Sequence, residues 1–454
     1  MKDIEMQGSV WSSLKCVVSM DKVNKVMLSD ESLAYKYRGD PDIMLGVLGM
    51  VDDTLAIGHC GIQSIKKNAV MNSFIEQQRL TLSQSKSVVL HVGRKSKCLA
   101  TCPTLKVQDT DMKTADTVRY LGDIISASGA RRPSVEDRRS TGWSRVSEIT
   151  TMLTAMPNKG KVQVGLKLRE AKLLNGILYS TEAWNNMSDK EYERLEQVDM
   201  AALRALVGGG HSRCPKAFYY LEFGTLMVRH VIMIKRLSYH HHIITRDDSE
   251  IIKKIYLKQK EDPLKGDWVQ LIQKDYEFIQ EDWNDDLIKS VPKDIFLKQV
   301  KEKVTKAAFK SYLLLKETNK TKMKQLIYDK FQMQEYLTSS DFNRDEIKLL
   351  YSLRSKTYPA KANFKNMNKG NLKCVFQCDQ IETQEHIFEN CEPILRRLNL
   401  NHIEQIKNVF GSPKEQKMAI QVFIKIDKMR KYMIDLPPGG ATARTQNNII
   451  CDKL

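Results

Sequence analysis

Gly49-Met50-Val51-Asp52-Asp53-Thr54-Leu55-Ala56-Ile57 is the stretch that decides how the first part of the chain folds. Its two adjacent aspartates lie between apolar runs, so Met44–Val51 is predicted to be a strand and Thr54–Ile57 its returning partner in a hairpin. A tight turn would expose both carboxylates while the strands anchor them in a core. Two-metal phosphoryl transfer needs such a rigid carboxylate platform, because its two cations lie about 3.5–4 Å apart.

Taken alone, the aspartate pair is a weak signal that favours an ordinary hairpin turn with no chemical role. The chain has two further pairs of this kind, Asp247-Asp248 and Asp285-Asp286. Both lie in polar, helix-like surroundings, which favours solvated charge at those positions. Only Asp52-Asp53 lies between apolar β-prone runs, and its interpretation therefore depends on the neighbouring motifs.

Three further motifs lie before and after the aspartates, and their order along the chain helps to interpret the pair. They are Met6-Gln7-Gly8-Ser9, then Leu82, Ser83, Lys86 and Ser87 ahead of the strand candidate Val88–Val92, and then Val118-Arg119-Tyr120-Leu121-Gly122. With Val51-Asp52-Asp53 between them, this order resembles that of the reverse transcriptases of non-LTR (LINE-type) retrotransposons. The resemblance covers most of residues 5–245.

The resemblance implies a role for each motif. Asp52 and Asp53 would bind the catalytic Mg²⁺ ions. The residues that would face the template and the nucleotide are Gln7, Gly8, Ser9 and Lys86, and those that would hold the primer are Tyr120, Leu121 and Gly122. RNA and DNA, as template–primer, and deoxynucleotides are the partners that such a protein would bind.

Two departures from the family pattern bear on activity. The family has a further catalytic aspartate on a palm strand ahead of the Gln-Gly-Ser loop, and a finger region, whereas here only Met1–Met6 precede the loop. Asp3 is too close to the loop to be that carboxylate, so we expect an N-terminally truncated palm with impaired nucleotidyl transfer. Met50 replaces the usual aromatic residue, a milder change because methionine fills the same apolar space.

Helical patterns dominate after residue 130 and resemble the family's thumb up to residue 245. Ser188 and Glu191 form a capping-box pattern ahead of an apolar stripe at helical spacing. Two basic pairs, Arg131-Arg132 and Arg138-Arg139, are predicted to contact nucleic-acid phosphates. Earlier in the chain, a helix is predicted over Ile62–Leu80, where Ile62, Ile65, Ala69 and Leu80 fall on one face.

A compact Cys/His cluster lies near the C-terminus. Its members, spaced C-x3-C-x7-H-x4-C, are Cys374, Cys378, His386 and Cys391. Three thiolates and an imidazole suit tetrahedral Zn²⁺, so a zinc knuckle is predicted, with chance clustering as the alternative. The cluster also resembles the Cys-Cys-His-Cys motif downstream of the thumb in several non-LTR elements. That resemblance implies contact with nucleic acid, to which Arg396 and Arg397 would add phosphate contacts.

Two other groups are weaker metal candidates. Cys98 and Cys102, with His91 nearby, lack an evident fourth ligand. His240-His241-His242 would point in different directions on a helix, so a partly exposed helix end is predicted there.

Taken together, the patterns predict an α+β protein. A partial polymerase palm, with an antiparallel sheet and helices, would precede a mainly α-helical thumb and a C-terminal region with the zinc knuckle. The predicted segments are a palm at 1–130, a thumb at 131–245, a basic connector of surface helices at 246–365, the knuckle at 366–397, and a C-terminal helix with a disordered tail at 398–454. A linker is predicted over Tyr358–Lys373.

Composition narrows the class of partner. The chain has 454 residues, of which 42% are hydrophobic, and a formal net charge of +17, which favours a polyanionic partner. No apolar run reaches the ~18 residues of a membrane span, and Met1–Val18 lacks the apolar core of a signal peptide. Nine cysteines in a chain with no secretion signal favour thiols or metal ligands in a reducing compartment, the nucleus or the cytoplasm.

Two functions follow from these patterns. The first is a retrotransposon-derived RNA-directed DNA polymerase fragment that binds template–primer. The second is a non-catalytic nucleic-acid-binding protein that uses the thumb, the basic helices and the zinc knuckle. A structural protein with no nucleic-acid partner is the third possibility.

Overall fold

The computed structural model describes most of the chain. The described residues are 10–50, 53–80, 83–92, 104–107, 109–157, 160–185, 187–208, 214–318, 323, 325–364, 372–398 and 405–435. Gln7, Gly8, Ser9 and Asp52 lie outside these ranges, as do Cys98, Cys102 and the predicted disordered tail. The described part is mixed α+β and mostly helical, which confirms the predicted class in its coarse form.

Fifteen α-helices are present in the described ranges. They are Val10–Ser29, Gly61–Gln77, Arg132–Thr154, Lys161–Leu168, Asn175–Ile177, Asp189–Leu206, Lys216–Phe223, Val228–Ile244, Ile251–Glu261, Trp268–Ile279, Asp285–Ser290, Lys293–Thr318, Arg344–Arg354, Glu392–Arg397 and Pro413–Asp435. Two π-helical stretches occur at Arg169–Leu174 and His386–Asn390. None of the helices that are described is long and apolar enough to cross a membrane.

The strands form five two-stranded sheets in the described part of the chain. Four are antiparallel: Tyr35–Lys36 with Met44–Leu45, Val47–Met50 with Asp53–Ala56, Lys106–Val107 with Thr110–Asp111, and Thr117–Tyr120 with Asp123–Ser126. The fifth pairs Val88–Leu90 with Lys113–Ala115 in parallel.

Two compact units make up the structure, each assembled from three segments. The first comprises Met1–Ser140, Tyr179–Arg194 and Ile232–Val300, and the second comprises Thr141–Leu178, Leu195–Val231 and Lys301–Leu454. The five contiguous segments predicted from the sequence stay a prediction.

The hairpin predicted around the aspartates is present in the first unit. Val47 pairs with Ala56 and Met50 pairs with Asp53, so the two strands are antiparallel and in register. Val47 is buried against Val23 and Met27 of the Val10–Ser29 helix. The hairpin is therefore anchored at its base, where its first strand enters the core, while Met50 at its other end is exposed.

The helix predicted after the hairpin is also present, as Gly61–Gln77, but its inferred apolar face is not the buried one. Ile62, Ile65 and Ala69 are exposed, as is Leu80 just beyond the helix. Its buried side chains are Lys67 and Ile75. Apolar spacing alone selected the wrong face because the helix turns a lysine toward the hairpin.

Lys67 holds the base of the hairpin together. Its side chain is almost fully buried, and Nζ donates to the carbonyl oxygens of Leu45 (3.4 Å), Gly46 (2.9 Å) and Ile57 (2.6 Å). These carbonyls lie just before the first strand and just after the second. No carboxylate pairs with this ammonium in the described part of the chain, and burial lowers its pKa to about 8.

Replacing Lys67 by methionine should loosen the hairpin. The change Lys67→Met leaves three carbonyls without their donor, so we expect the free energy of unfolding to fall by about 2 kcal/mol. Urea denaturation measures the loss, and hydrogen exchange of peptides covering residues 44–57 locates it. Lys66→Met is the matched control, because Lys66 is exposed.

The difference in stability between wild type and Lys67→Met should also depend on pH. The unfolded chain keeps the Lys67 proton up to the ordinary pKa of 10.5, whereas the folded chain releases it from about pH 8. Unfolding takes up a proton in that window, so the stability of wild type relative to Lys67→Met should rise between pH 8 and 10.5. A constant difference would show that Lys67 keeps an ordinary pKa in the folded state.

Helix Lys216–Phe223 lies at the centre of the second unit, with every residue after Lys216 buried. It ends at Gly224, whose φ of +56° is left-handed and whose added Cβ would lie 2.3 Å from the backbone carbon of Gln332. Only glycine allows this close approach. The apposed backbone then forms a hydrogen bond from Gln334 N–H to the Glu222 carbonyl, 3.0 Å long.

In the described residues, four carboxylate–arginine pairs have both side chains buried. They are Asp275 with Arg236 in the first unit, and Asp199 with Arg169, Glu222 with Arg354, and Glu382 with Arg430 in the second. Tyr328 and Tyr336 also donate to Glu222, at 2.7 and 2.8 Å.

The predicted connector at 246–365 is less exposed to solvent than its charged composition indicated. It contains several buried tyrosines, namely Tyr256, Tyr276, Tyr312, Tyr328 and Tyr336. The predicted linker is corrected at its start, where Tyr358 is buried and its hydroxyl donates to Asp427 at 2.8 Å. Tyrosine hydroxyls with buried acceptors can lie in a core, which an apolar pattern does not reveal.

Candidate functional site

Asp53 is the described member of the aspartate pair. It begins the returning strand opposite Met50 and is exposed, as the predicted hairpin requires. Asp52 lies outside the described residues. Within the described ranges, no group of three or more His, Cys, Asp or Glu side chains suited to a metal includes Asp53. The structure therefore gives no support for the predicted Mg²⁺ site.

Tyr120 connects the aspartate hairpin to the Tyr-Leu-Gly motif. Its hydroxyl donates to the carbonyl oxygen of Leu48 on the first hairpin strand, at 3.4 Å. Burial raises the pKa of Tyr120, and the nearby negative charge of Asp53 raises it further. Two motifs that are about 70 residues apart in sequence are thus neighbours within one unit.

Tyr120, Leu121 and Gly122 lie at a hairpin turn between the strands Thr117–Tyr120 and Asp123–Ser126, within a run of β-prone residues. Tyr120 pairs with Asp123, and the two residues between them have positive φ, 46° for Leu121 and 79° for Gly122. Two consecutive left-handed residues are typical of the type I′ turn that joins two-residue hairpins. The continuous β-prone run concealed the turn because Leu121 rarely takes that conformation.

Lys86 lies in an exposed turn ahead of the Val88–Leu90 strand. The turn is closed by N–H groups of Lys86 and Ser87, which donate to the Ser83 carbonyl at 3.2 and 3.0 Å. Val88–Leu90 contacts the Thr117–Tyr120 strand. The Lys-bearing turn therefore joins the same neighbourhood as the Tyr-Leu-Gly hairpin.

The four arginines predicted to contact phosphate differ in their surroundings. Arg131 donates to Asn185 Oδ1 at 2.9 Å, and Arg138 is buried and donates to the Gly122 carbonyl at 2.7 Å. Arg139 pairs with Glu136 at 3.3 Å. Arg132 is exposed. Arg131 and Arg138 thus have structural contacts that the basic pairs in the sequence did not indicate.

The Cys/His cluster is brought together as predicted. The four donor atoms of Cys374, Cys378, His386 and Cys391 all lie within 4.8 Å of one another. Cys391 Sγ lies 3.7 Å from Cys374 Sγ and 3.8 Å from Cys378 Sγ, and Cys378 Sγ lies 3.0 Å from His386 Nε2. A turn carries the first two cysteines, and the His386–Asn390 π-helical stretch carries the histidine to Cys391.

The donor set fits a metal ion. Thiolates about 2.3 Å from a tetrahedral centre are separated by about 3.8 Å, which matches both sulfur–sulfur distances in the cluster. The Cys391 thiol donates a hydrogen bond toward Cys374 and so holds the pKa of Cys374 below its usual range. A cation at the centre would remove the need for shared protons by favouring three thiolates.

The cluster lies in the core of the second unit. Cys391 and Ile387 have no exposed surface, and the Phe388 ring packs against Tyr358 and Phe423 with centroids 5.0 and 4.9 Å apart. A metal bound here would be enclosed by packed side chains, so its first role would be to stabilise the fold.

Glu382 links the metal-ligand loop to the last helix. Its carboxylate is fully buried, and Oε2 accepts from the N–H of Val375, the residue after Cys374, at 3.0 Å. Oε1 accepts from Arg430 of the Pro413–Asp435 helix at 2.6 Å and from the Lys361 N–H at 3.1 Å. Outer contacts of this kind hold a ligand loop in position.

The remaining predicted groups have other surroundings. His240 is fully buried, with Tyr256 Oη 2.9 Å and Asp285 Oδ1 3.4 Å from Nε2, so the expected partial exposure is wrong for His240, whereas His242 in the last helical turn is partly exposed. Burial favours the protonated form of Asp285, but hydrogen bonds from His240, Lys260, Tyr256 and Trp283 hold its pKa below the usual range. The interpretation of Asp285 as solvated charge is therefore wrong. Asp248 is exposed, as predicted.

Arg396 and Arg397 lie on the short helix after the cluster. Arg396 pairs with Glu392, and Arg397 donates to the sulfur of Met433. Both predicted phosphate contacts therefore remain on the surface next to the cluster.

Known families give no further assignment. No protein-family model matches this chain, and no curated protein matches it. The function is therefore argued from the motifs and their geometry.

Metal content is the direct check on the cluster. We expect the purified chain to contain one metal ion and Cys391→Ser to lose it, because one of four ligands is removed. Elemental analysis measures the ion, and chelation should lower the melting temperature of wild type by at least about 5 °C. Cys60→Ser is the control, since Cys60 is an exposed free thiol. Equal metal content in all three proteins would rule the cluster out.

Arg430→Met tests the link through Glu382. Removing the partner of a buried carboxylate costs about 3–5 kcal/mol, and displacing a ligand loop typically weakens metal binding by about 10- to 100-fold. Chelator competition measures the metal affinity and thermal melting measures the stability. Lys428→Met on the exposed side of the same helix should change neither. If Arg430→Met is less stable but binds the metal as tightly, the pair only supports packing.

Proposed function

We propose that this chain is a reverse-transcriptase-derived protein of the non-LTR retrotransposon type that binds template–primer nucleic acid. The observation that carries the proposal is the contact of Tyr120 with the aspartate hairpin. Motifs that the resemblance assigns to nucleotide and primer are neighbours within the first unit, as a polymerase palm would require. The Lys86 turn joins them through the strand that contacts Thr117–Tyr120.

The charge distribution around these motifs supports binding to a polyanion. Arg119 is 55% exposed and lies one residue before Tyr120, and Arg132 and Arg139 lie on the helix that follows the hairpin. Asp137 and Glu136 pair with Arg119 and Arg139. Phosphate oxygens could replace these partly exposed carboxylates as partners, since ion pairs near the surface contribute only about 0–1 kcal/mol each.

We infer that the ion in the Cys/His cluster is Zn²⁺. Three thiolates with one imidazole at tetrahedral spacing are typical of structural zinc. The burial of the cluster favours a stabilising role for zinc. Its contact with nucleic acid would then come from Arg396 and Arg397 on the neighbouring surface.

Binding is better supported than catalysis. Two-metal nucleotidyl transfer needs carboxylates that fix both cations, and the described residues place no further acidic ligand beside Asp53. The proposal is therefore a template–primer-binding protein, and a polymerase activity that depends on Asp52 and Asp53 is the second candidate function. The exposed hairpin position of Asp53 is the observation that keeps this candidate.

Salt-dependent binding to an RNA–DNA primer duplex tests the proposal. We expect an affinity that falls steeply with salt, and a weaker dependence when Arg119, Arg132 and Arg139 are all changed to Gln. The slope of log K against log salt changes by about 0.9 for each phosphate that the variant no longer neutralises. Fluorescence anisotropy at several salt concentrations gives the slope.

The control changes the net charge equally at a distant site. Lys414, Lys425 and Lys428 are exposed on the last helix, and their triple change to Gln should preserve the slope. If the two triple variants behave alike, binding is a general effect of charge. Nucleotide incorporation is assayed on the same samples: incorporation that Asp52→Ala abolishes would establish the second candidate function, and its absence is the expected result.

A further inference from the structure

A half-exposed tyrosine lies against the Tyr-Leu-Gly turn. Tyr179 belongs to the first unit, is distant in sequence from the turn, and has 52% of its surface exposed. Large aromatic side chains usually bury most of their surface, so a ring left half open at a candidate site indicates a functional role. Sequence patterns gave no reason to single out Tyr179.

The ring is held in place by the turn. A Cβ added to Gly122 would lie 3.2 Å from Cε1 of Tyr179, so the glycine lets the ring pack directly on the backbone. The guanidinium of Arg138 lies over the ring, 5.2 Å from its centroid. Arg138 in turn donates to the Gly122 carbonyl at 2.7 Å. Turn, arginine and ring thus fix one another, and a ligand would meet a preorganised aromatic surface.

The surroundings of the ring are basic. Arg138 contacts Asp137, which also pairs with Arg119, and Glu136 on the same helix pairs with Arg139 and Arg194. Four arginines therefore share two carboxylates. The Arg138 side chain is 9% exposed, and its Nε has no hydrogen-bond partner in the described part of the chain. That nitrogen is itself buried, so the exposed ring and the cluster of arginines around it are what indicate a ligand with both an anionic group and an apolar face.

We propose that Tyr179, whose ring packs on the Leu121-Gly122 turn, is a stacking platform for one nucleobase of a bound strand. The adjacent arginines would contact the phosphates of that strand. This inference rests on the proposed function and adds a specific base-contacting residue to it. A nucleobase has the flat π-face that stacks on an aromatic ring, and it is joined to the phosphate that the arginines require. An acidic peptide would supply the negative charge but no flat aromatic group at a fixed distance from that charge.

Stacking can be detected independently of affinity. A primer carrying 2-aminopurine at its 3′ terminus is annealed to an RNA template and titrated with the full chain. Quenching of the fluorescent base by wild type is expected, as is its retention in Tyr179→Phe and Tyr179→Trp. Tyr179→Ala should abolish the quenching and weaken binding by about tenfold, the effect of removing the ring under one stacked base.

The salt dependence separates the ring from the arginines. Tyr179→Ala should leave the slope of log K against log salt unchanged, because every phosphate contact is retained. Tyr179→Leu keeps an apolar side chain on Gly122 without a π-face, so it reports on stacking even if the alanine variant unfolds. Tyr432→Ala, at a partly exposed tyrosine of the last helix, is the control and should behave as wild type.

Each outcome decides a different point. If wild type binds the duplex and Tyr179→Leu quenches as well as wild type, the platform is wrong and the proposed function stands. If Tyr179→Leu fails to quench while the aromatic variants still do so, the platform is correct. If wild type binds an acidic peptide but no nucleic acid, both the platform and the proposed function fall.

Discussion

The interior of this protein depends on a single electrostatic constraint: a carboxylate removed from water must have a charged partner and filled hydrogen-bonding positions. Asp199, Glu222 and Asp275 each meet an arginine that donates from Nε and a terminal nitrogen, with the shorter bond of each pair 2.6 Å long. Removing one partner of such a buried pair costs far more than forming the pair contributes, because the remaining charge has no solvent. These pairs therefore select one packing arrangement within each unit more than they add net stability.

The fourth pair differs in a way that matters for the metal cluster. Both hydrogen bonds from Arg430 to Glu382 end at Oε1, at 3.3 and 2.6 Å, which leaves Oε2 for the Val375 N–H beside Cys374. One carboxylate thus joins a helix and a ligand loop that are about 50 residues apart in sequence. Metal binding and the packing of the last helix then stabilise each other, because each fixes a group that the other contacts. Under the proposed function, a cluster buried in this way would affect nucleic-acid binding only through the surface that it stabilises.

Local patterns in the sequence predicted the elements whose causes are local. The aspartate hairpin follows from two apolar runs around a turn, and the Cys/His cluster follows from ligand spacing within 18 residues. Lys67, Asp285 and His240 were missed or misread because their partners come from distant segments. A lysine that donates to three carbonyls, or a histidine between tyrosines and an aspartate, has the same sequence appearance as a solvated residue. The basic pairs Arg131-Arg132 and Arg138-Arg139 look alike in sequence, yet the two arginines of each pair have different surroundings: Arg131 and Arg138 hydrogen-bond within the protein, whereas Arg132 is exposed.

Under the proposed function, arginines that already pair with carboxylates would contribute to binding mainly through released counterions. A phosphate that approached Arg119 or Arg139 would exchange one partly exposed ion pair for another, so the enthalpy of the exchange would be small. Such binding is strong at low salt and indifferent to sequence and strand position. An aromatic ring fixed beside these arginines would add a contribution that persists at high salt, because stacking does not depend on counterions. It would also require the base to lie at one position. The arginines would therefore determine the rate and the affinity of strand binding. Tyr179 would determine the position along the strand at which the protein binds.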